Sequence, residues 1–197
     1  MLSDIMPDFR LVLGAYLLGS IPFGLILGKV FWKTDLREVG SHNIGATNAW
    51  RVLGRTAGLL TFALDFGKGY LACLICLQYS SFIYDAIAVA AAAIIGHSMS
   101  IFLKFKGGKA VATSVGCLAC LMPQVAVCLI IVWSICFAAT RTVSIASCIA
   151  AIAAPILAST FLYPKQLIYF CAAATIFVLV RHKENIRRII AGEELHF

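Results

Sequence analysis

Charged residues are scarce in this chain of 197 residues: they make up 13% of it, whereas soluble proteins average about 25%. Hydrophobic residues make up 61%, more than a compact fold of this size can hide from water. Soluble enzymes, secreted disulfide scaffolds and disordered linkers are therefore excluded. The composition predicts an integral membrane protein.

Acidic residues are fewer than basic ones, with nine Asp and Glu against sixteen Lys and Arg and a net charge of +7. In a membrane chain this excess indicates a charge bias at the membrane surface or an anionic ligand before it indicates a nucleic acid. We therefore expect no nucleic-acid partner.

Long uncharged runs predict an all-α bundle of about seven transmembrane helices. The run from Ala110 to Thr140 is too long for one crossing, at about 46 Å for a straight helix, and Met122-Pro123-Gln124 in its middle is a turn signal. Splitting the run there places the N-terminus outside and the C-terminus in the cytoplasm, with most basic residues in or beside the inner loops. The expected spans, within one domain over residues 1–197, lie near 10–31, 56–79, 84–98, 109–121, 124–139, 144–162 and 166–181.

The first inner loop and the start of the next helix are rich in hydroxyl and amide side chains. Such groups donate hydrogen bonds to phosphate oxygens, an arginine adds a bidentate fork, and Gly40 and Gly45 allow backbone amides to converge. The alternative is a turn that caps the next helix, since Ser and Asn commonly do that. The residues concerned are Ser41, Asn43, Thr47, Asn48 and Arg51.

The second inner loop, Lys106-Gly107-Gly108-Lys109, comes directly before another predicted helix. Glycine amides and the positive end of a helix dipole predict an anion site there, and the two lysines add formal charge. The Gly spacing and the Ser or Thr of a nucleotide-binding P-loop are absent, so ATP hydrolysis is not implied. Just upstream, His97 is either a proton acceptor or a packing residue.

A third polar group leaves the last predicted span. On a continuing helix Arg181, Asn185 and Arg188 share a face, and a basic cluster held by anionic lipid is the alternative. Within the second span, Asp65 and Lys68 are costly in lipid unless they pair, so we expect an ion pair at the mouth of a site. Because the three groups lie on one side of the membrane, we expect an amphiphilic substrate system with more than one phosphate.

Eight cysteines raise the question of a metal site, and Cys73, Cys76, Cys117 and Cys120 even have the spacing of a paired zinc motif. Both pairs lie in apolar helical runs, where a thiolate is disfavoured. We therefore predict that the cysteines pack inside the bundle and that the protein needs no metal and no cofactor.

Taken together, these motifs resemble the PlsY-type acyl-phosphate:glycerol-3-phosphate acyltransferases of bacterial inner membranes, and they come in the order of that family. Three positions depart from the family's pattern: His42 and Ala110 stand where Gly is expected, and Ser100 stands where Pro is expected. The matching segments are 19–24, 40–48 with Arg51, Asp65 with 68–69, 96–97, 106–109 with 111–113, Ser144 with Ser147, 181–182, 185–186 and 192–193.

The resemblance implies transfer of a fatty acyl group from acyl phosphate to the 1-hydroxyl of glycerol 3-phosphate. The products would be lysophosphatidic acid and phosphate, in the first acylation step of phospholipid biosynthesis. It also implies a multi-pass protein of the bacterial inner membrane with a cytoplasmic active site. The partners would be the two small-molecule substrates, membrane lipid and an upstream enzyme that supplies acyl phosphate. A transporter of phosphorylated metabolites is the alternative function.

The resemblance also assigns residue roles, position by position. Ser41 and Arg51 would be essential for activity, the loop 106–109 would hold glycerol 3-phosphate, and His97 is the third catalytic candidate. Gly192 would act on the acyl donor and Glu193 on the integrity of the protein. The substrate-binding residues implied are Asn43, Thr47, Asn48, Lys68, Lys106, Gly107, Gly108, Lys109, Thr113, Ser144, Arg181, His182, Asn185, Gly192 and Glu193.

Overall fold

The computed structural model describes residues 7–196, and every regular element in that range is helical. The predicted all-α fold is therefore confirmed for this part of the chain, while residues 1–6 and 197 of the expected domain lie outside it. A short 3₁₀ turn covers Ile101–Leu103. The α-helices are α1 (Phe9–Ser20), α2 (Phe23–Phe31), α3 (Ala46–Leu53), α4 (Arg55–Tyr79), α5 (Ile83–Ser98), α6 (Val111–Leu121), α7 (Pro123–Thr140), α8 (Val143–Thr160), α9 (Lys165–Arg181) and α10 (Lys183–Ile190).

Within residues 7–196, five helical stretches are long and apolar enough to cross a membrane, so the chain is an integral membrane protein. The other two expected spans are also helical, but α6 has 11 residues and α9 has 17. Because a helix rises about 1.5 Å per residue, α6 is shorter than a hydrocarbon core of about 30 Å. The five long stretches are Phe9–Phe31, Arg55–Tyr79, Ile83–Leu103, Pro123–Thr140 and Val143–Thr160.

Proline sets two boundaries in the apolar runs. The predicted division near Met122 is confirmed, since α6 ends at Leu121 and Pro123 is the first residue of α7. The first span is expected as one stretch, but it consists of α1 and α2 with a break at Ile21 and Pro22. Pro22 has no backbone N–H, so it cannot continue the hydrogen-bond ladder of α1.

The chain divides after Cys120 into two compact units. In the first unit, α1 packs against α5, and α4 packs against α3 and α5. Close approach of α1 and α5 depends on Gly19, where an added Cβ would collide with the carbonyl of Ala93. In the second unit, α8 packs against both α7 and α9.

The cysteines all lie on helices and are free thiols, and four of them are buried. Among residues 7–196, no group of three or more His, Cys, Asp or Glu side chains is arranged to hold a metal ion. The buried thiols are Cys73, Cys76, Cys117 and Cys171.

Candidate active site

The loop before α3 is organised by one buried side chain, Asn48, which is 1% exposed. Its amide nitrogen donates to the carbonyl oxygens of Leu36, Val39 and Asn43 at 3.1, 3.0 and 2.9 Å. Its Oδ1 accepts a hydrogen bond of 2.8 Å from the amide of Ser41. Asn48 thus satisfies the backbone of the loop and fixes Ser41 next to α3.

Two residues of this loop have left-handed backbone conformations. Gly40 has a φ of +63°, and an added Cβ there would collide with the side chain of Asn48. His42 has a φ of +58°, which explains why a Gly suits this position. The Nδ1 of His42 lies 3.0 Å from the carbonyl oxygen of Arg37, and this contact holds the strained turn.

The polar residues around α3 divide into two groups by their contacts. Asn43 accepts a hydrogen bond of 2.9 Å from the amide of Gly45, so Asn43 and Asn48 hold the turn. The N-cap of α3 is Gly45, and no side chain caps the helix there. Thr47 precedes Arg51 by one helical turn and shares a face of α3 with it. Thr47 and Arg51 therefore lie on α3, Ser41 lies in the loop held against it, and all three are partly exposed.

Asp65 and Lys68 form the expected ion pair, with 2.7 Å between Oδ1 and Nζ. The pair is buried, with side chains 3% and 1% exposed, so it does not line an open mouth as predicted. Lys68 also donates to the carbonyl oxygen of Ile21 at 2.9 Å. Buried charges persist when they are paired and hydrogen-bonded, and Lys68 meets both conditions with protein groups.

His97 lies beside this pair at the end of α5 and is 5% exposed. Its Nδ1 is 3.5 Å from Oδ1 of Asp65 and 3.3 Å from Oγ1 of Thr113. The other ring nitrogen faces Gly108 so closely that an added Cβ there would collide with it. The imidazole is therefore enclosed by Asp65, Thr113 and Gly108.

The loop Lys106–Lys109, called the glycine loop below, folds back on the end of α5. The amide of Gly107 donates to Ser98 at 3.0 Å, and that of Gly108 donates to His97 at 3.1 Å. The last carbonyls of a helix have no helical partners, and these two amides satisfy them. The prediction that both amides point at an anion is therefore wrong, since each donates to a carbonyl of α5.

Ala110 joins the glycine loop to α6 and has a φ of +60° while it is 1% exposed. A Gly at this position adopts that conformation without steric cost. The two positions where Gly is expected from the resemblance, 42 and 110, are thus both left-handed in this chain.

In the second unit, Glu194 collects three hydrogen bonds and its side chain is 8% exposed. Oε1 accepts from Oγ of Ser144 at 2.7 Å and from Nδ2 of Asn185 at 2.5 Å, and Oε2 accepts from Nε of Arg188 at 2.7 Å. Burial opposes ionisation of this carboxyl, but the hydrogen bonds from Asn185, Ser144 and Arg188 outweigh it and lower the pKa of Glu194. Sequence reasoning missed this residue.

Glu193, which the resemblance assigns to the integrity of the protein, is exposed. The chain reverses at Gly192, with a φ of +72°, and brings the next residue but one, Glu194, onto α8 and α10. The positive-φ Gly is the signal that the tail folds back, but it does not indicate which of two adjacent glutamates faces inward. The interior carboxylate lies one position later than expected.

The last span does not continue as one helix, because the helix breaks at His182 between α9 and α10. The expectation that Arg181 shares a helix face with Asn185 and Arg188 therefore does not apply. His182 is 2% exposed, and its Nδ1 contacts the carbonyl oxygen of Val178 at 2.8 Å. Asn185 and Arg188 share a face of α10, as both bind Glu194. Arg181 belongs to α9.

These features define an all-helical integral membrane protein with basic side chains beside glycine-containing loops, a class suited to phosphorylated ligands. Residues 9–192 match the glycerol-3-phosphate acyltransferase family. The chain belongs to that family.

Individual relatives agree with this assignment. Over 182 residues the chain is 44% identical to the glycerol-3-phosphate acyltransferase of Listeria welshimeri, and the match covers 91% of each chain. The crystal structure of PlsY (YgiH), an integral membrane glycerol 3-phosphate acyltransferase, in its glycerol 3-phosphate form is similar with a TM-score of 0.89 and 38% identity. Its lysophosphatidic acid form gives 0.87 and 37%. Both comparisons cover 95% of this chain and 94% of the other.

Proposed function

We propose that the protein transfers a fatty acyl group from acyl phosphate to the 1-hydroxyl of glycerol 3-phosphate. The observation that carries this proposal is its similarity over 95% of the chain to a glycerol 3-phosphate acyltransferase whose crystal structures include glycerol 3-phosphate and lysophosphatidic acid forms. The products are lysophosphatidic acid and phosphate, so the reaction is the first acylation of phospholipid biosynthesis.

The choice of acyl phosphate as donor rests on the resemblance and on one missing motif. Acyltransferases that use soluble thioester donors carry His followed five positions later by Asp. Here Thr47, Phe102 and Arg187 stand five positions after His42, His97 and His182. An acyl phosphate is already activated, so the protein needs mainly to position it and to stabilise charge as phosphate leaves.

The reaction requires one bond to form and one to break. The glycerol hydroxyl oxygen attacks the acyl carbonyl carbon, and the bond between that carbon and the phosphate oxygen breaks, so phosphate leaves with the electron pair. Ser41 and Arg51 stabilise the leaving phosphate, and Lys106 and Lys109 bind the phosphate of glycerol 3-phosphate. The hydroxyl proton passes to a phosphate oxygen of the substrates, with His97 as the alternative acceptor.

The remaining substrate-binding candidates assist the residues that bind the two phosphates. Thr47 adds a hydroxyl beside Arg51, while Asn43 and Asn48 hold the loop that carries Ser41. From the second unit, we assign Arg181, His182 and Asn185 of the C-terminal motif, together with Ser144 of α8, to substrate binding, and Gly192 to the acyl donor. Glu194, rather than Glu193, is the carboxylate that holds this motif.

We infer that the five long apolar stretches, α6 and α9 are all embedded in the bacterial inner membrane. The N-terminus then lies outside, and the C-terminus and the active site lie in the cytoplasm. Support comes from the concentration of basic residues in alternate connections, which the positive-inside rule places in the cytoplasm. The seven helices and their loops form one acyltransferase domain over residues 1–197. A fusion after Phe197 to a reporter that is active only outside the cytoplasm should be inactive, and an active fusion would reverse the topology.

The direct test uses detergent-purified protein, labelled glycerol 3-phosphate and one of three conditions: a long-chain acyl phosphate, acyl-CoA or no donor. We expect lysophosphatidic acid with acyl phosphate alone. Product with acyl-CoA alone would overturn the donor assignment. Absence of product in every tube, together with uptake of glycerol 3-phosphate into liposomes that contain the protein, would show that the protein is a transporter and not an acyltransferase.

A further inference from the structure

The break between α1 and α2 leaves backbone carbonyls inside the apolar part of the molecule. Pro22 interrupts the helical hydrogen bonds, and carbonyls at membrane depth need other donors because no bulk water reaches them. The carbonyl of Ser20 accepts from the side chain of Ser100, and that of Ile21 accepts from the side chain of Lys68 as well as from the backbone amide of Phe23. Each side-chain donor leads to the glycine loop.

The first donor is Ser100, whose hydroxyl binds the carbonyl oxygen of Ser20 at 2.6 Å. Both serines are 1% exposed. The carbonyl of Ser100 in turn accepts the amides of Leu103 and Phe105 at 3.1 and 2.8 Å. The residue therefore anchors the turn that leads into Lys106, and its side chain fixes that turn to the helix break.

The second donor is Lys68, which binds the carbonyl of Ile21 and the carboxylate of Asp65. Asp65 contacts Nδ1 of His97 at 3.5 Å. His97 holds the glycine loop twice, through its carbonyl to the amide of Gly108 and through the ring that packs on Gly108. A chain of buried polar contacts thus runs from Ile21 to the loop.

We propose that Ser100 and Lys68 are positioning residues, which fasten the glycine loop to the break in the first membrane helix and so place Lys106 and Lys109 for the phosphate of glycerol 3-phosphate. This inference rests on the proposed function. The hydrogen bond from the Ser100 hydroxyl to the carbonyl of Ser20 provides the attachment of the turn to the helix break.

The test compares Ser100→Ala with Ser114→Ala in the full-length enzyme. Ser114 is a fair control because it is also buried, and its hydroxyl has no hydrogen-bond partner among residues 7–196. For S100A we expect the KM and the Kd for glycerol 3-phosphate to rise about tenfold, as for loss of one buried hydrogen bond. We expect kcat of S100A at saturating substrate to change less than threefold. S114A should match the unaltered enzyme, and S100T, which keeps a hydroxyl, should restore the KM.

The Lys68 contact needs a variant that leaves no unpaired charge, because Asp65 alone in the interior would destabilise the fold. The double variant Asp65→Asn with Lys68→Met removes both charges. We expect it to raise the KM for glycerol 3-phosphate at least tenfold and to leave the KM for acyl phosphate within twofold. A rise in both constants would indicate general damage and contradict the inference.

The binding measurement separates this inference from the proposed function. If the unaltered protein transfers acyl groups and S100A has the same KM and Kd as S114A, the positioning role is wrong while the function stands. If the unaltered protein binds glycerol 3-phosphate without acyl transfer, the proposed function is wrong. A weaker Kd in S100A alone would then still support the attachment of the loop.

Discussion

The side-chain oxygen of Asn48 accepts a hydrogen bond of 2.8 Å from the backbone amide of Ser41, seven residues earlier. The same side chain donates to three loop carbonyls through its nitrogen. A residue that resembles a phosphate ligand from the sequence is thus the centre of the loop's own hydrogen bonds. We expect Asn48 to affect catalysis only through the position of Ser41.

Asn48→Ala should destabilise the protein by about 2–4 kcal/mol, since several buried backbone groups lose their partner at about 1 kcal/mol each. It should also lower kcat by at least tenfold, because Ser41 is no longer held next to α3. Thermal unfolding in detergent and the acyl transfer assay measure the two effects. Gln78→Ala, which removes an exposed amide at the end of α4, is the control and should change neither. An N48A protein with normal stability would contradict the role of Asn48.

Ala110→Gly should stabilise the protein by about 0.5–1 kcal/mol, because Ala110 has a φ of +60° that Gly adopts without a Cβ penalty. The midpoint of thermal unfolding should rise. Ala112→Gly, at the second residue of α6, is the matched control and should not raise it, because Ala112 does not have a positive φ and Gly relieves no strain there. Equal changes in both variants would show that the backbone of Ala110 is unstrained.

The apolar helices could be predicted because run length and proline determine them. Pro123 divides one run at the expected place, and the expected spans coincide closely with helices. The break at Pro22 was missed because the run around it is uncharged from Leu11 to Gly28. Hydropathy detects only how long an apolar run is, whereas the break is caused by the one backbone N–H that Pro22 lacks.

The site was predictable in its residue types and less so in its contacts. The spacing of Asp65 and Lys68 predicts their ion pair, but the approach of Ile21 and His97 depends on how α1, α4 and α5 pack. The amides of Gly107 and Gly108 bind α5 instead of an anion because the chain reverses after Ser98. Sequence spacing contains no information on which carbonyls a reversing loop meets.

Glu194→Gln should lower stability near neutral pH by about 1–2 kcal/mol, since a carboxylate that accepts from Arg188 forms stronger hydrogen bonds than an amide. Because folding lowers the pKa of Glu194, its contribution is complete above the pKa of an unfolded glutamate, at about 4.3. That contribution is lost as the pH falls from there through the lower pKa of the folded state.

Unfolding of the unaltered protein and of E194Q should therefore converge as the pH is lowered from 7 to 3. Glu193→Gln is the matched control, because Glu193 is exposed and adjacent, and it should match the unaltered protein throughout. A constant difference between E194Q and the unaltered protein over this range would show that Glu194 gains nothing from its ionised form.

His97 can be tested with two amides that reproduce different halves of its ring. The amide nitrogen of Asn can occupy the Nδ1 position toward Asp65 and Thr113, whereas that of Gln reaches the Nε2 position near Gly108. If the ring is held in place beside Asp65 and Thr113 through Nδ1, and the loop depends on that placement, H97N should keep kcat within tenfold and H97Q should raise the KM for glycerol 3-phosphate. A proton acceptor at this position would predict otherwise, since neither amide can accept the proton and both variants would lose about 10²-fold or more in kcat at unchanged KM. Because Asp65 and Thr113 lie at Nδ1 and Gly108 encloses Nε2, we expect the first result, with the proton passing to a substrate phosphate oxygen.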